Sequence, residues 1–291
     1  MTRLRRSLLF VPGTTPERIA KAAALPADGV ILDLEDAVPP GQKAQAREWV
    51  VAALRRVDFG DRERVVRVNP LPTAEGAADL AAIVPLGPDA LLLPKLGSLE
   101  ELRRGDETVA RLEAAAGRAP GSIRFHLLIE TVAGVLDVLA LARGSARNAA
   151  LLFGAGDLAR ETRARLVPSR ASELHALSQV LLAARAAGLD AIDTPYFDLQ
   201  NAVGLTAHAR FAADLGYDGK ALIHPSQIAV TNRAFTPSPE AVAEAQRILS
   251  AYDAAQAGGT GALVVDGQFV DAVHVATARE TLTRARLAGV A

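Results

Sequence analysis

The stretch Phe125-His126-Leu127-Leu128-Ile129-Glu130, followed after an Ala/Leu-rich interval by Leu151-Leu152-Phe153-Gly154-Ala155-Gly156-Asp157, decides the fold. Each is a short apolar run stopped by a small or charged residue, which is how a buried strand reads, and each ends on a carboxylate. The interval between them has the composition of a helix. Two strands separated by such a crossover pair in parallel. The same unit recurs outward in both directions, with runs at 7–12, 30–35, 65–69, 90–95, 123–130, 151–157, 191–193 and 220–224. Eight strand and helix units predict a closed (β/α)8 barrel (a TIM barrel), in which loops after the strands build the active site. Polar residues at the strand ends are therefore the candidates for chemistry.

The chain of 291 residues accommodates one barrel over residues 1–225 and a C-terminal extension over 226–291. In that extension, Pro237-Ser238-Pro239-Glu240 reads as a helix start, and Gly258-Gly259-Thr260-Gly261 as its end. Residues 262–271 then read as a β-hairpin turning at Asp266-Gly267, with a last helix behind it. Such an extension caps its own barrel or reaches a neighbouring subunit's site. A net charge of −1 and 4% aromatic residues argue against a nucleic-acid partner. No uncharged run approaches the roughly 18 residues of a membrane span, so a soluble cytoplasmic protein is expected, with no membrane partner. Cysteine is absent, so any metal must use oxygen or histidine ligands. Against 28 Arg there are four Lys, and two of these, Lys95 and Lys220, stand at strand ends.

Asp33, Glu35 and Asp36 cluster after the second run, with Asp33 and Glu35 expected on one side of the strand end. Arg67 and Asn69 alternate so that both face the barrel interior. A buried Arg needs an anion, either an internal carboxylate such as Glu35 or a substrate carboxylate, and the substrate is placed first. Glu130 and Asp157, on neighbouring strands, would repel if left unpaired. A hard divalent cation, Mg2+, resolves this; an acid/base dyad or salt-bridged ends are the competing readings. Gly154, Ala155 and Gly156 keep the adjoining surface open to a ligand. Lys95 and Lys220 raise Schiff-base chemistry against the commoner structural ion pair.

Taken together, Arg6-Ser7-Leu8-Leu9-Phe10-Val11-Pro12-Gly13, Leu32-Asp33-Leu34-Glu35-Asp36-Ala37-Val38, Arg67-Val68-Asn69, Pro94-Lys95, Ile129-Glu130-Thr131, Phe153-Gly154-Ala155-Gly156-Asp157-Leu158 and Gly216-Tyr217-Asp218-Gly219-Lys220-Ala221-Leu222-Ile223-His224-Pro225 resemble the citrate lyase β subunit and its stand-alone malyl-CoA and citramalyl-CoA lyase relatives in the HpcH/HpaI aldolase group. The resemblance runs almost end to end. It implies a homotrimer or homohexamer, Mg2+ on Glu130 and Asp157, and cleavage of a β-hydroxyacyl-CoA thioester into an acyl-CoA and a 2-oxo acid. It also implies a substrate-binding role for Arg67, with Gly154, Ala155, Gly156 and Asp157 around the ligand. Asp33, Glu35, Asp36, Asn69, Lys95 and Lys220 would form the supporting layer. Lys43, with the segment around Arg5 and Arg6, would meet CoA phosphates. Asp271 matches the family's tail acid/base, although its surroundings, Gly267-Gln268-Phe269-Val270-Asp271-Ala272-Val273, lack the family's Met and Pro. The alternatives are a β subunit acting on an acyl-carrier-protein thioester within a complex, and a noncatalytic scaffold subunit. The intact tail hairpin favours the CoA-dependent type.

Overall fold

The computed structural model describes residues 3–257 and 262–291. Eight parallel strands, β1 (Ser7–Pro12), β2 (Gly29–Asp33), β3 (Glu63–Arg67), β4 (Ala90–Leu93), β5 (Arg124–Ile129), β6 (Asn148–Phe153), β7 (Asp190–Asp193) and β8 (Gly219–Leu222), pair in sequence order. β8 closes on β1, with Ser7 opposite Lys220 and Leu9 opposite Leu222. Two further short strands, β9 (Leu263–Val265) and β10 (Gln268–Val270), form a separate antiparallel pair. The α-helices are α1 (Pro16–Ala22), α2 (Lys43–Arg56), α3 (Ala74–Ile83), α4 (Leu99–Ala115), α5 (Val132–Leu136), α6 (Val138–Ala142), α7 (Ala155–Thr162), α8 (Leu174–Ala187), α9 (Ala202–Leu215), α10 (Ile228–Ala234), α11 (Pro239–Ala257) and α12 (Ala272–Leu287), with short 3-10 turns at Pro40–Gln42, Val84–Leu86 and Pro225–Gln227. The expected (β/α)8 architecture is therefore present.

Alternation along each strand divides the barrel into an interior layer and a helix-facing layer. Leu8, Ile31, Val65, Leu92, Leu128, Leu152, Ile192 and Ala221 fill the interior. The inside of the strand barrel is thus a packed core, above which ligand space opens at the strand ends. At the base, Arg5 forks onto Glu63 at 2.6 and 2.7 Å and reaches Asp190 at 2.6 Å, so the interior charges there are answered.

The strands are shorter than their apolar runs imply. Pairing on β2 stops at Asp33, on β4 at Leu93 and on β6 at Phe153, so Glu35, Lys95 and Asp157 lie beyond the ladder. Pro94 and Gly154 interrupt the run at two of these places, and α7 begins at Ala155, which puts Asp157 on its first turn.

The chain separates into two compact units, one of them Arg5–Ala234 and the other Phe235–Ala291 with the N-terminal residues through Leu4. The first runs past the expected boundary at 225 because α10 packs on β1 and β8. In the second, α11 and α12 pack through Val242, Ala245, Ala278, Leu282 and Ala285. The hairpin turn has Asp266 and Gly267 both at positive φ, 49° and 83°, as an Asp-Gly turn demands. The expected break at Gly258–Gly261 lies outside the described residues. Among the described residues no helix is long and apolar enough to cross a membrane.

Candidate active site

The strand ends open into a cavity of about 420 Å³, lined on its polar side by Asp33, Asp36, Arg67, Glu130, Asp157 and Thr194. Asp33 and Arg67 sit directly opposite each other in the β2–β3 register. The Arg67 guanidinium forks onto Asp33 at 2.7 and 2.6 Å and reaches Glu35 Oε2 at 2.9 Å. Its carbon lies 4.9 Å from the Phe10 ring centre, so an aromatic face supports the cation as well. Burial works against the charge, but Asp33 and Glu35 more than compensate and raise its pKa further. Asp33 in turn accepts the Glu35 N–H at 2.8 Å and the Ala37 N–H at 3.3 Å, which folds the loop after β2 over the strand end.

Lys95 takes a left-handed backbone, φ 52°, costly for a residue with a side chain. That geometry gives it two tasks. Its N–H donates to Glu130 Oε1 at 3.0 Å, while its ammonium bonds Glu35 and, at 2.9 Å, Asp36. Those two carboxylates hold the ammonium above its ordinary range despite burial, so Lys95 is a fixed cation and not a nucleophilic amine. Burial pushes Glu35 upward, against Arg67 and Lys95. Lys43 directs its ammonium to the carbonyl oxygens of Leu34 (2.9 Å) and Glu35 (2.6 Å), bracing the same loop.

Glu130 is 3% exposed. Burial, with Asp157 and Glu35 nearby and against the pull of Arg67, pushes its carboxyl up to about 8. The Glu130 side chain lies against Gly154, where an added Cβ would collide with Glu130 Cβ and stand 3.1 Å from Oε2. Asp157, half-buried on α7, is paired only loosely with Arg160, at 3.4 Å. Among the described residues no cluster of three or more His, Asp or Glu is arranged to hold a metal alone. Two hard carboxylates facing one cavity nevertheless suit Mg2+, which characteristically takes one or two carboxylates and completes its shell with water and substrate oxygens. Replacing Gly154 with alanine should displace Glu130 and weaken Mg2+ binding about tenfold or more, with little change in fold; calorimetric titration of both proteins with MgCl2 checks it.

Asn69 and Lys220, expected in the supporting layer, both lie off the cavity wall. Asn69 does not line the cavity. It is turned to Asp79, through its backbone N–H at 2.8 Å and its amide at 2.7 Å, and to the Leu34 carbonyl at 2.9 Å. Lys220 faces the helix layer, because Ala221 takes the interior position on β8. Fully buried, it bonds Asp193 Oδ2 at 2.7 Å, the Thr194 carbonyl, and His208 Nδ1 at 2.8 Å, while Arg170 forks onto Asp193. Burial lowers Lys220 to about 8 and His208 to about 4. Lys220 reaches the cavity only through Thr194, whose hydroxyl accepts the Ala155 N–H at 3.1 Å and so fixes the start of α7. Asp271 belongs to the C-terminal unit. It caps α12, accepting from the Val273 N–H at 2.9 Å and meeting His274 Nδ1 at 2.8 Å, contacts that hold its carboxyl below the ordinary range. Sequence reasoning missed Thr194 and the apolar lining Phe10, Pro12, Leu128, Leu152 and Ile223. Their inward alternation was the signal available.

Residues 6–225 match the model of the HpcH/HpaI aldolase/citrate lyase family. The chain belongs to that family. Its HpcH/HpaI membership makes it an enzyme of the carbon–carbon lyase kind. It is 39% identical over 280 residues to a (3S)-malyl-CoA thioesterase of Cereibacter sphaeroides, covering 96% of this chain and 94% of the relative. It is 37% identical over 289 residues to the citrate lyase subunit beta of Escherichia coli K12, covering 99% and 96%. Among solved structures, the CitE protein of Mycobacterium tuberculosis in complex with magnesium, acetoacetate and coenzyme A superposes with a TM-score of 0.78 at 34% identity, covering 98% of this chain and 99% of that one. A citrate lyase from Burkholderia xenovorans LB400, 23% identical over 99% of this chain and 93% of its own, matches the fold with a TM-score of 0.86.

Proposed function

We propose that this HpcH/HpaI protein is a Mg2+-dependent lyase that cleaves, or forms, a β-hydroxyacyl-CoA thioester, yielding acetyl-CoA and a 2-oxo acid. The observation that carries the reading is the meeting of Glu130, Asp157 and the clamped Arg67 at one cavity. The magnesium complexes of the mycobacterial relative support it. Glu130 and Asp157 would hold the ion, which when bound supplies Lewis-acid polarisation of the substrate's hydroxyl and carboxylate oxygens.

The chain's own residues do the rest. The substrate's hydroxyl gives up its proton to solvent as its C–O bond becomes the carbonyl of the 2-oxo acid, and the electron pair of the breaking carbon–carbon bond passes to the thioester enolate. Arg67 offers that oxygen a fixed positive charge, preorganised by Asp33 and Glu35 and therefore costing little reorganisation. A proton must then reach the α-carbon. Asp271 is assigned this transfer: its ionised carboxylate takes the α-proton in the condensation direction, and in cleavage it returns a proton drawn from solvent, while the His274 contact that lowers its pKa keeps it ionised at the expense of basicity. The protein is assigned to the cytoplasm and to a homotrimer or homohexamer, on the family pattern alone.

Thioester hydrolysis is the second reading, favoured by the 39% identity to a malyl-CoA thioesterase. The deciding experiment incubates the protein with malyl-CoA, citramalyl-CoA and citryl-CoA, with Mg2+ and with EDTA, and follows products by mass spectrometry. Acetyl-CoA plus a 2-oxo acid, formed only with Mg2+, is the expected result. Free CoA and a hydroxy acid without acetyl-CoA would select hydrolysis. Neither product set, from folded protein with metal, would overturn both in favour of a carrier-bound substrate or a scaffold.

A further inference from the structure

The cavity lining is of two kinds, apolar at the floor and charged around it. Leu128, Leu152 and Ala221 are the upper members of the barrel's apolar interior, and they end in the cavity floor with Phe10 packed against them. Ile223 extends this surface to the rim. The rest of the lining is charged and mostly acidic, Asp33, Asp36, Glu130 and Asp157 with Arg67 among them. The positive charges there are already answered. Arg67 is forked on Asp33 and bonded to Glu35, and Lys95 is bonded to Glu35 and Asp36.

A substrate carboxylate bound at the Glu130 and Asp157 ion has its counter-charge. A second carboxylate on the same fragment would meet either the apolar floor, where an unpaired charge is costly to bury, or the carboxylate-rich lining, where it is repelled. Hydrogen or a small alkyl group would instead rest on Leu128, Leu152 and Ala221, where burial is favourable.

We infer that the cavity selects hydroxyacyl thioesters bearing one free carboxylate, with hydrogen or a small alkyl group on the hydroxyl-bearing carbon. The 2-oxo acid released is then of the glyoxylate or pyruvate type and not an oxo-dicarboxylate. The inference rests on the lyase reading for its reaction and on the cavity walls for its selectivity.

Two measurements separate the parts. Calorimetric titration of the Mg2+-loaded protein with pyruvate and with freshly prepared oxaloacetate reads the cavity alone. Pyruvate is expected to bind at least tenfold more tightly. In turnover, kcat/KM for the better of malyl-CoA and citramalyl-CoA is expected to exceed that for citryl-CoA by about 100-fold. Ile223→Arg, at a position already 37% exposed, should narrow both ratios by about tenfold by supplying a cation at the rim. Equal or tighter binding of oxaloacetate, binding of neither acid, or ratios unchanged in Ile223→Arg would overturn the inference. Pyruvate preference without cleavage of any thioester would uphold the selectivity while removing the lyase reading.

Discussion

Arg67→Met should lower stability by about 3 kcal/mol and turnover by about 10³-fold. Removing one partner from a buried ion pair strands the other, and here two carboxylates lose their cation: Asp33, 1% exposed, and Glu35, 3% exposed. The loss falls at the lower end of the usual range because Glu35 keeps Lys95 and Asp33 keeps the N–H groups of Glu35 and Ala37. Arg67→Lys retains the charge but not the fork, so it should recover much of the stability and little of the turnover. Asp33→Asn combined with Arg67→Met removes the stranded charge as well as the guanidinium. Urea unfolding should show stability partly restored in that double variant, while kcat stays low. Turnover within tenfold of wild type in Arg67→Met would show that the arginine only holds the loop.

The Asp33–Arg67 fork also marks the limit of what the sequence discloses. Alternation within Val65-Val66-Arg67 tells that Arg67 faces inward, but which residue of the neighbouring strand stands opposite it is a matter of register, and register is a property of the closed sheet. The substrate therefore looked like the leading anion when an internal carboxylate was already in place. Glu130 and Asp157 were legible because each stops an apolar run, and charges at strand ends have few other reasons to interrupt a core. Their spacing was not legible: Asp157 sits on a helix turn, so extending the strand to it misstates how it reaches the cavity.

The partners of Lys220 were illegible for a different reason. Its neighbours Ala221 and Ile223 have the small and apolar side chains that a barrel interior takes, which puts Lys220 on the helix side. A lysine there is unexpected until its partners are seen, and these, Asp193 at the end of β7, the Thr194 carbonyl and His208 on α9, lie too far from it in sequence to be associated by pattern. The apolar lining of the cavity was illegible because its leucines and phenylalanines are of the same types as the core beneath them.

Mg2+ should stabilise the protein progressively more as pH rises from 6 to 9, and Glu130→Gln should abolish the effect together with about 10³-fold of turnover. The folded, metal-free protein holds the Glu130 carboxyl up at about 8, against an ordinary value of 4.5. A raised carboxyl favours the folded state only while it is protonated. Its contribution is complete below the unfolded value and is lost as pH rises through 8, so the metal-free protein should melt at lower temperature across that interval. A cation binds the other protonation state. Below pH 8 it competes with the proton, and its affinity should climb by up to about tenfold per pH unit until Glu130 is fully ionised. The metal-induced shift in melting temperature is therefore small at pH 6 and largest near pH 9. Glu130→Gln removes the titration from the folded state, which should flatten this part of the metal-free profile as well as erase the shift. Thermal melts with MgCl2 and with EDTA at each pH decide between a metal site and the acid/base dyad that the same two carboxylates would otherwise form. A dyad sharing one proton would give the metal-free profile without any response to Mg2+, and the response to Mg2+ is the quantity that the pairing of Glu130 with Asp157 requires.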